Sequence, residues 1–343
     1  MMLSNVDCRT LDISEFDLEA LEPGVRWHLR WHVADDGMGV PVRSPLVVIR
    51  GRMPGPVLCV TAALHGNEVN GVPVIHRLLS NIVPSRLRGT IIACPVLNVP
   101  GMLDRTREFN DGTDMNKVMP GAPTGTGAQQ WAHRFLTEFV GKADYLVDLH
   151  TASFGRINSL YVRANLKNPV TARMALLQRP RIILHNPPSD LTLRGAASER
   201  GIPAITVEVG DPHRIQPRHI RPTVAGIRAV MYDFDMVARR ASEPRQAPII
   251  CESSRWLYAD RGGFLNVIPD ITERVMAGQL VATQVDAFGT LVREYRAPTD
   301  GIIIGRSVEP VAATGARILH LGHVVTNDEA AQLYGTIFAQ SSS

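Results

Sequence analysis

Between about Ser44 and Asp235 the chain alternates short apolar runs with stretches of helical length. PLVVIRG, PVLCVTAAL, TIIACPVLN, ADYLVDLHT, RIILHN and AITVEVG are rich in Val and Ile and predict strands. Between them VPVIHRLLSNIV places Val72, Ile75, Leu78, Leu79 and Ile82 at helical spacing, and Pro73 is tolerated if that helix starts near Gly71. This alternation predicts an α/β fold, a mixed sheet flanked by helices. Its strand ends are the ordinary place for a ligand in such a sheet.

After the polar stretch MVARRASEPRQAPI the helical signal ends. GGFLNVI, QLVATQV, TLVREYRAP, GIIIGRS and ILHLG are short strand candidates set between glycines, which predicts a small all-β, barrel-like module. Parts of it resemble the half-repeats of a lipoyl or biotinyl carrier barrel. A carrier needs a modifiable lysine, and the chain has lysine only at positions 117, 142 and 167, so the module is expected to serve as scaffold or oligomer contact. Three segments result: a β-containing extension over 1–45, a catalytic region over 46–240 and a β-rich region over 250–340.

Charge narrows the function. Thirty-six basic and 33 acidic side chains leave +3, without the clustered basic footprint of a nucleic-acid binder. The N-terminus lacks the basic flank and apolar stretch of a signal peptide, and no run approaches the length of a membrane span, so a cytoplasmic protein with no nucleic-acid or membrane partner is expected. Cys8, Cys59, Cys94 and Cys251 are far apart, which argues against disulfides and a cysteine zinc site.

The candidate chemistry lies at strand ends. LHGNEVNG puts His65 and Glu68 in the turn after PVLCVTAA, either as local backbone caps or as metal ligands. His150 ends the run ADYLVDLH, and Asp148, two residues earlier on the same strand face, is placed to accept the imidazole's second N–H. The bland alternative is a satisfied core histidine with a strand-end carboxylate. Two histidines and one carboxylate leave a fourth tetrahedral position open, as catalytic rather than structural zinc sites do. Glu208 sits between Val207 and Val209, where a carboxylate must be paired, for example with Arg194, or functional as a general base. The long polar loop 98–121 carries Arg107, suited to polarising a carbonyl, and Asn116 and Lys117, suited to holding a carboxylate; solvated loop charges are the competing reading.

HGNE, the stretch from Arg107 to Gly121, DLHT and VEVG, in that order and with a β-rich tail, resemble the succinylglutamate desuccinylase/aspartoacylase family of the zinc carboxypeptidase superfamily. The resemblance implies one zinc per chain on His65, Glu68 and His150, with Glu208 as base and acid and Arg107 on the carbonyl. Asn116 and Lys117 fall on the family's Asn-Arg pair for a substrate carboxylate. Lys117 departs from it, losing the planar fork that matches a carboxylate. Met119 stands where a phenylalanine is common. Hydrolysis of a small N-acyl amino acid by metal-activated water, in a homo-oligomer, is the implied function, and the tail suggests the N-acetyl-diaminobutyrate deacetylases. A carboxypeptidase-like metallopeptidase and a non-enzymatic zinc-binding protein are the alternatives.

Overall fold

The computed structural model describes residues 8–188, 191–238, 247–335 and 338. The centre of the polar stretch after Met236, residues 239–246, and the first seven residues of the N-terminal extension lie outside the described residues, as do 336, 337 and 339–340 of the β-rich region. Two compact units form, each discontinuous in sequence. One comprises Met1–His150, Pro188–Val207 and His213–Pro244, the other Thr151–Pro187, Glu208–Pro212 and Arg245–Ser343.

The first unit is built on a mixed sheet. Its strands run in the spatial order Cys8–Ile13, Val25–Asp35, Pro41–Arg50, Arg88–Cys94, Met53–Ala62, Tyr145–His150 and the part of Ala204–Val209 up to Val207. Met53–Ala62 is parallel to both of its neighbours, whereas Pro41–Arg50 is antiparallel to both of its own. The central strands are buried on both faces, which is why their sequences are continuous apolar runs rather than alternating ones. The expected helix is Gly71–Ser80, burying Val74, Ile75, Leu78 and Leu79, with Pro73 in its first turn where the missing N–H costs nothing. Gly71 opens it because a Cβ there would meet Ala62 Cβ at 2.6 Å and Leu149 Cβ at 2.9 Å. Helix Gly127–Glu138 starts with a capping box on Thr126 and Gln129. It presents Trp131 and Phe135, stacked with centroids 5.2 Å apart, to a core that includes Trp31 and Phe139.

In the second unit Leu160–Ala164 and Ile182–His185 are parallel, and Ile249–Tyr258 extends them in parallel before pairing antiparallel with Arg317–Val325. Gly301–Ser307 follows, antiparallel to both Arg317–Val325 and Arg156–Asn158. A separate four-stranded antiparallel sheet holds Leu291–Arg296, Leu280–Val285, Gly263–Val267 and Val311–Ala312. The strands read from the C-terminal sequence are present. Helix Asn327–Tyr334 follows them, with its own capping box on Thr326 and Glu329.

Candidate metal centre

The first unit brings His65, Glu68 and His150 together from two strand ends, all at most 5% exposed. The chain leaves Met53–Ala62 through Ala63, held at φ 51°, and turns tightly, with Glu68 N–H donating to the His65 carbonyl at 3.1 Å. Gly66 lies inside that turn because a Cβ would fall 1.9 Å from the Gly101 carbonyl carbon. Gly101 belongs to the next loop. Asn98 pins it by accepting from Gly101 N–H at 2.8 Å and donating to the Glu108 carbonyl at 3.0 Å, which fixes the segment that carries Arg107.

Each imidazole is oriented through Nε2. His150 Nε2 lies 2.7 Å from Asp148, itself held by the Thr61 hydroxyl at 2.6 Å, and His65 Nε2 lies 3.1 Å from Asp114. With the Nε2–H groups donated to carboxylates, both Nδ1 atoms carry lone pairs. Those two atoms are 3.2 Å apart, and they lie 2.8 and 3.0 Å from Glu68 Oε1 and Oε2. With both rings neutral, three acceptors face one another in a buried place, which is unfavourable unless a proton or a metal cation stands among them. Donors about 3.3 Å apart are also what a tetrahedral ion bound at about 2.0–2.1 Å requires. The donor set fits a metal ion.

The electrostatics follow the same contacts. Burial alone would raise the Glu68 carboxyl, but His65 and His150 hold it well below the usual carboxylate range. Burial alone would lower His150, yet Asp148 and Glu68 raise it well above the ordinary imidazole value. Asp114 is likewise pushed up by burial but ends lower than usual, chiefly through His65 and Arg107. A divalent cation bound there would take over the role of these protons.

Arg107 donates from Nη1 to Glu68 at 3.0 Å and from Nε to Asp114 at 3.1 Å, so its guanidinium is held at the ligand cluster. Asn116 accepts from Leu193 N–H at 2.9 Å, tying the loop to the helix Leu193–Glu199. Lys117 is different: its side chain is 74% exposed, and its ammonium stands 3.6 Å from Asp114. In the second unit Glu208 has Arg163 as its arginine, at 3.2 Å, with Tyr161 and Asn158 also donating to it. Asp114, Thr61, Tyr161 and Arg163 are not among the residues read from the sequence. Asp114 carried a signal, an acid two residues before Asn116, whereas nothing in the strand Leu160–Ala164 marks its partner.

The model of the succinylglutamate desuccinylase/aspartoacylase catalytic domain matches residues 54–233, more than half the chain. The chain belongs to this family. It is thereby one of a family of amide hydrolases, as the ordered motifs implied. Among relatives, the N-alpha-acetyl-L-2,4-diaminobutyric acid deacetylase of Halomonas elongata is 23% identical over 304 residues, 85% of this chain and 89% of its own. The product-bound ectoine utilization protein EutE (DoeB) of Ruegeria pomeroyi has a similar fold, with a TM-score of 0.79 and 22% identity over 86% of this chain and 93% of that one. The succinylglutamate desuccinylase/aspartoacylase of Rhodobacter sphaeroides also gives 0.79 at 22% identity, covering 91% and 98%. No helix among the described residues is long and apolar enough to cross a membrane.

Proposed function

We propose that the chain is a zinc-dependent deacylase that splits the amide bond of a small N-acylated amino acid, with N-acetyl-diaminobutyrate as the first substrate to try. The observation that carries this is the meeting of His65 Nδ1, His150 Nδ1 and the Glu68 carboxylate within 3.2 Å of one another in a buried place. These three residues hold the ion, and Asp114 and Asp148 keep their imidazoles in the required tautomer. When bound there, zinc supplies a Lewis acid that makes water nucleophilic near neutral pH and polarises the carbonyl.

The chain's own residues do the rest. Arg107, held by two carboxylates, offers N–H donors to the carbonyl oxygen as it gains negative charge. Glu208 accepts a proton from the attacking water and returns one to the amide nitrogen as the C–N bond breaks, so that carboxylic acid and free amine leave. Asn116 and Lys117 receive a substrate carboxylate, Lys117 as a point charge. In this reading residues 46–240 carry the chemistry, residues 250–340 are scaffold without a modifiable lysine, and the enzyme is cytoplasmic and homo-oligomeric.

A screen of N-acetyl, N-succinyl and N-formyl amino acids against zinc-loaded protein, measuring free amine, tests the reading. Release from one acyl class, abolished by a chelator and restored by zinc, is the expected outcome. No release from any member by fully loaded protein would overturn it.

A further inference from the structure

We infer that Arg163, acting with Tyr161, is the positioning residue for Glu208: the pair holds one carboxylate oxygen and leaves the other to carry the proton. This rests on the reading of Glu208 as the base. The strand Leu160–Ala164 is buried at Tyr161, Val162 and Ala164, and Arg163 between them is part-buried, its side chain 27% exposed. Tyr161 and Arg163, two apart, project from the same strand face. Both reach the same atom: Arg163 Nε lies 3.2 Å and the Tyr161 hydroxyl 3.3 Å from Glu208 Oε1.

The two donors are also linked to each other. Arg163 Nη2 donates to the Tyr161 hydroxyl oxygen at 2.5 Å, and the guanidinium lies over the Tyr161 ring at 5.2 Å. With its oxygen taken by Arg163, the hydroxyl turns its own hydrogen toward Oε1, and bonds chained in this way strengthen one another. Burial and Glu208 keep the phenol protonated, raising it well above its ordinary value, so it remains a donor. Among the described residues Oε2 has only the long 3.4 Å contact from Asn158. A carboxylate gripped at Oε1 cannot swap its oxygens, and proton transfer depends on such fixed geometry.

The test is a double-mutant cycle on the zinc-loaded full chain, with the substrate identified by the screen. Arg163→Met should lower kcat about ten- to a hundredfold, the worth of a charge-assisted hydrogen bond, and leave KM within about threefold. Arg163→Lys should recover part of the loss, and Tyr161→Phe should cost less than Arg163→Met. In a Glu208→Gln background, Arg163→Met should add nothing further. An equal loss in both backgrounds, or a raised KM with unchanged kcat, would overturn the inference, the second because Arg163 would then be a substrate ligand. Near-native turnover of Glu208→Gln alone would instead sink the assignment of the base. Circular dichroism and zinc content of each variant must match the parent; if Arg163→Met fails that control, Arg163→Lys and Tyr161→Phe complete the cycle with the same expected non-additivity.

Discussion

At the scale of single residues, the carboxylates behind the imidazoles decide what the cluster can hold. Asp148 and Asp114 leave each Nδ1 as an acceptor, and without them either ring can protonate Nδ1 or turn away. Asp148→Asn and Asp114→Asn should each weaken zinc binding about ten- to a hundredfold, measured by competition with a calibrated chelator. Unchanged affinity in both would mean that the rings are held by packing alone. Another residue-scale prediction concerns His320 of the second unit. It is stacked on Trp256 at 4.6 Å, its Nε2 lies 2.7 Å from the Ser254 hydroxyl, and its buried Nδ1 has no hydrogen-bond partner among the described residues. Burial, and then Arg163, Arg317 and Arg156, push its pKa well below the ordinary value. The unfolded state therefore binds the proton first, and stability is lost as pH falls below about 6.5, by up to about 1.4 kcal/mol per pH unit. His320→Gln should make the melting temperature fall less steeply between about pH 6.5 and 5; an identical slope would contradict the assignment.

At the scale of elements, the site is made where two loops touch. A Cβ on Gly66 would fall 1.9 Å from the Gly101 carbonyl carbon, and one on Gly101 would fall 2.4 Å from the Glu108 carbonyl oxygen, so either must push backbone aside. Gly66→Ala should cost about 1–3 kcal/mol, seen as a lower melting temperature, and should weaken zinc binding because His65 and Glu68 flank the displaced residue. A variant with parental stability and affinity would show that the turn yields freely. Much of this was legible in the sequence, because buried strands announce themselves as runs of Val and Ile and because HGNE and DLHT fall at their ends. The strand Leu160–Ala164 was not, since Arg163 interrupts its apolar run, and the same interruption hides Glu208's partner. Contacts such as Thr61 with Asp148 join residues 87 apart in sequence and leave no local pattern.

At the scale of the whole molecule, both units use buried charge, but in different ways. The first gathers Glu68, Asp114, Asp148 and two histidines around a place suited to a cation, and the second closes an arginine, a tyrosine and an asparagine on one glutamate. A ligand bound only by the folded state stabilises it by mass action, so zinc at a hundred times its dissociation constant should add about 2.7 kcal/mol to the first unit. In the proposed function, binding of that ion depends on His65, Glu68 and His150. Elemental analysis of purified protein tests it most directly: the parent should carry close to one zinc per chain and a folded His65→Ala, His150→Ala double variant almost none, whereas full occupancy in the double variant would contradict the account.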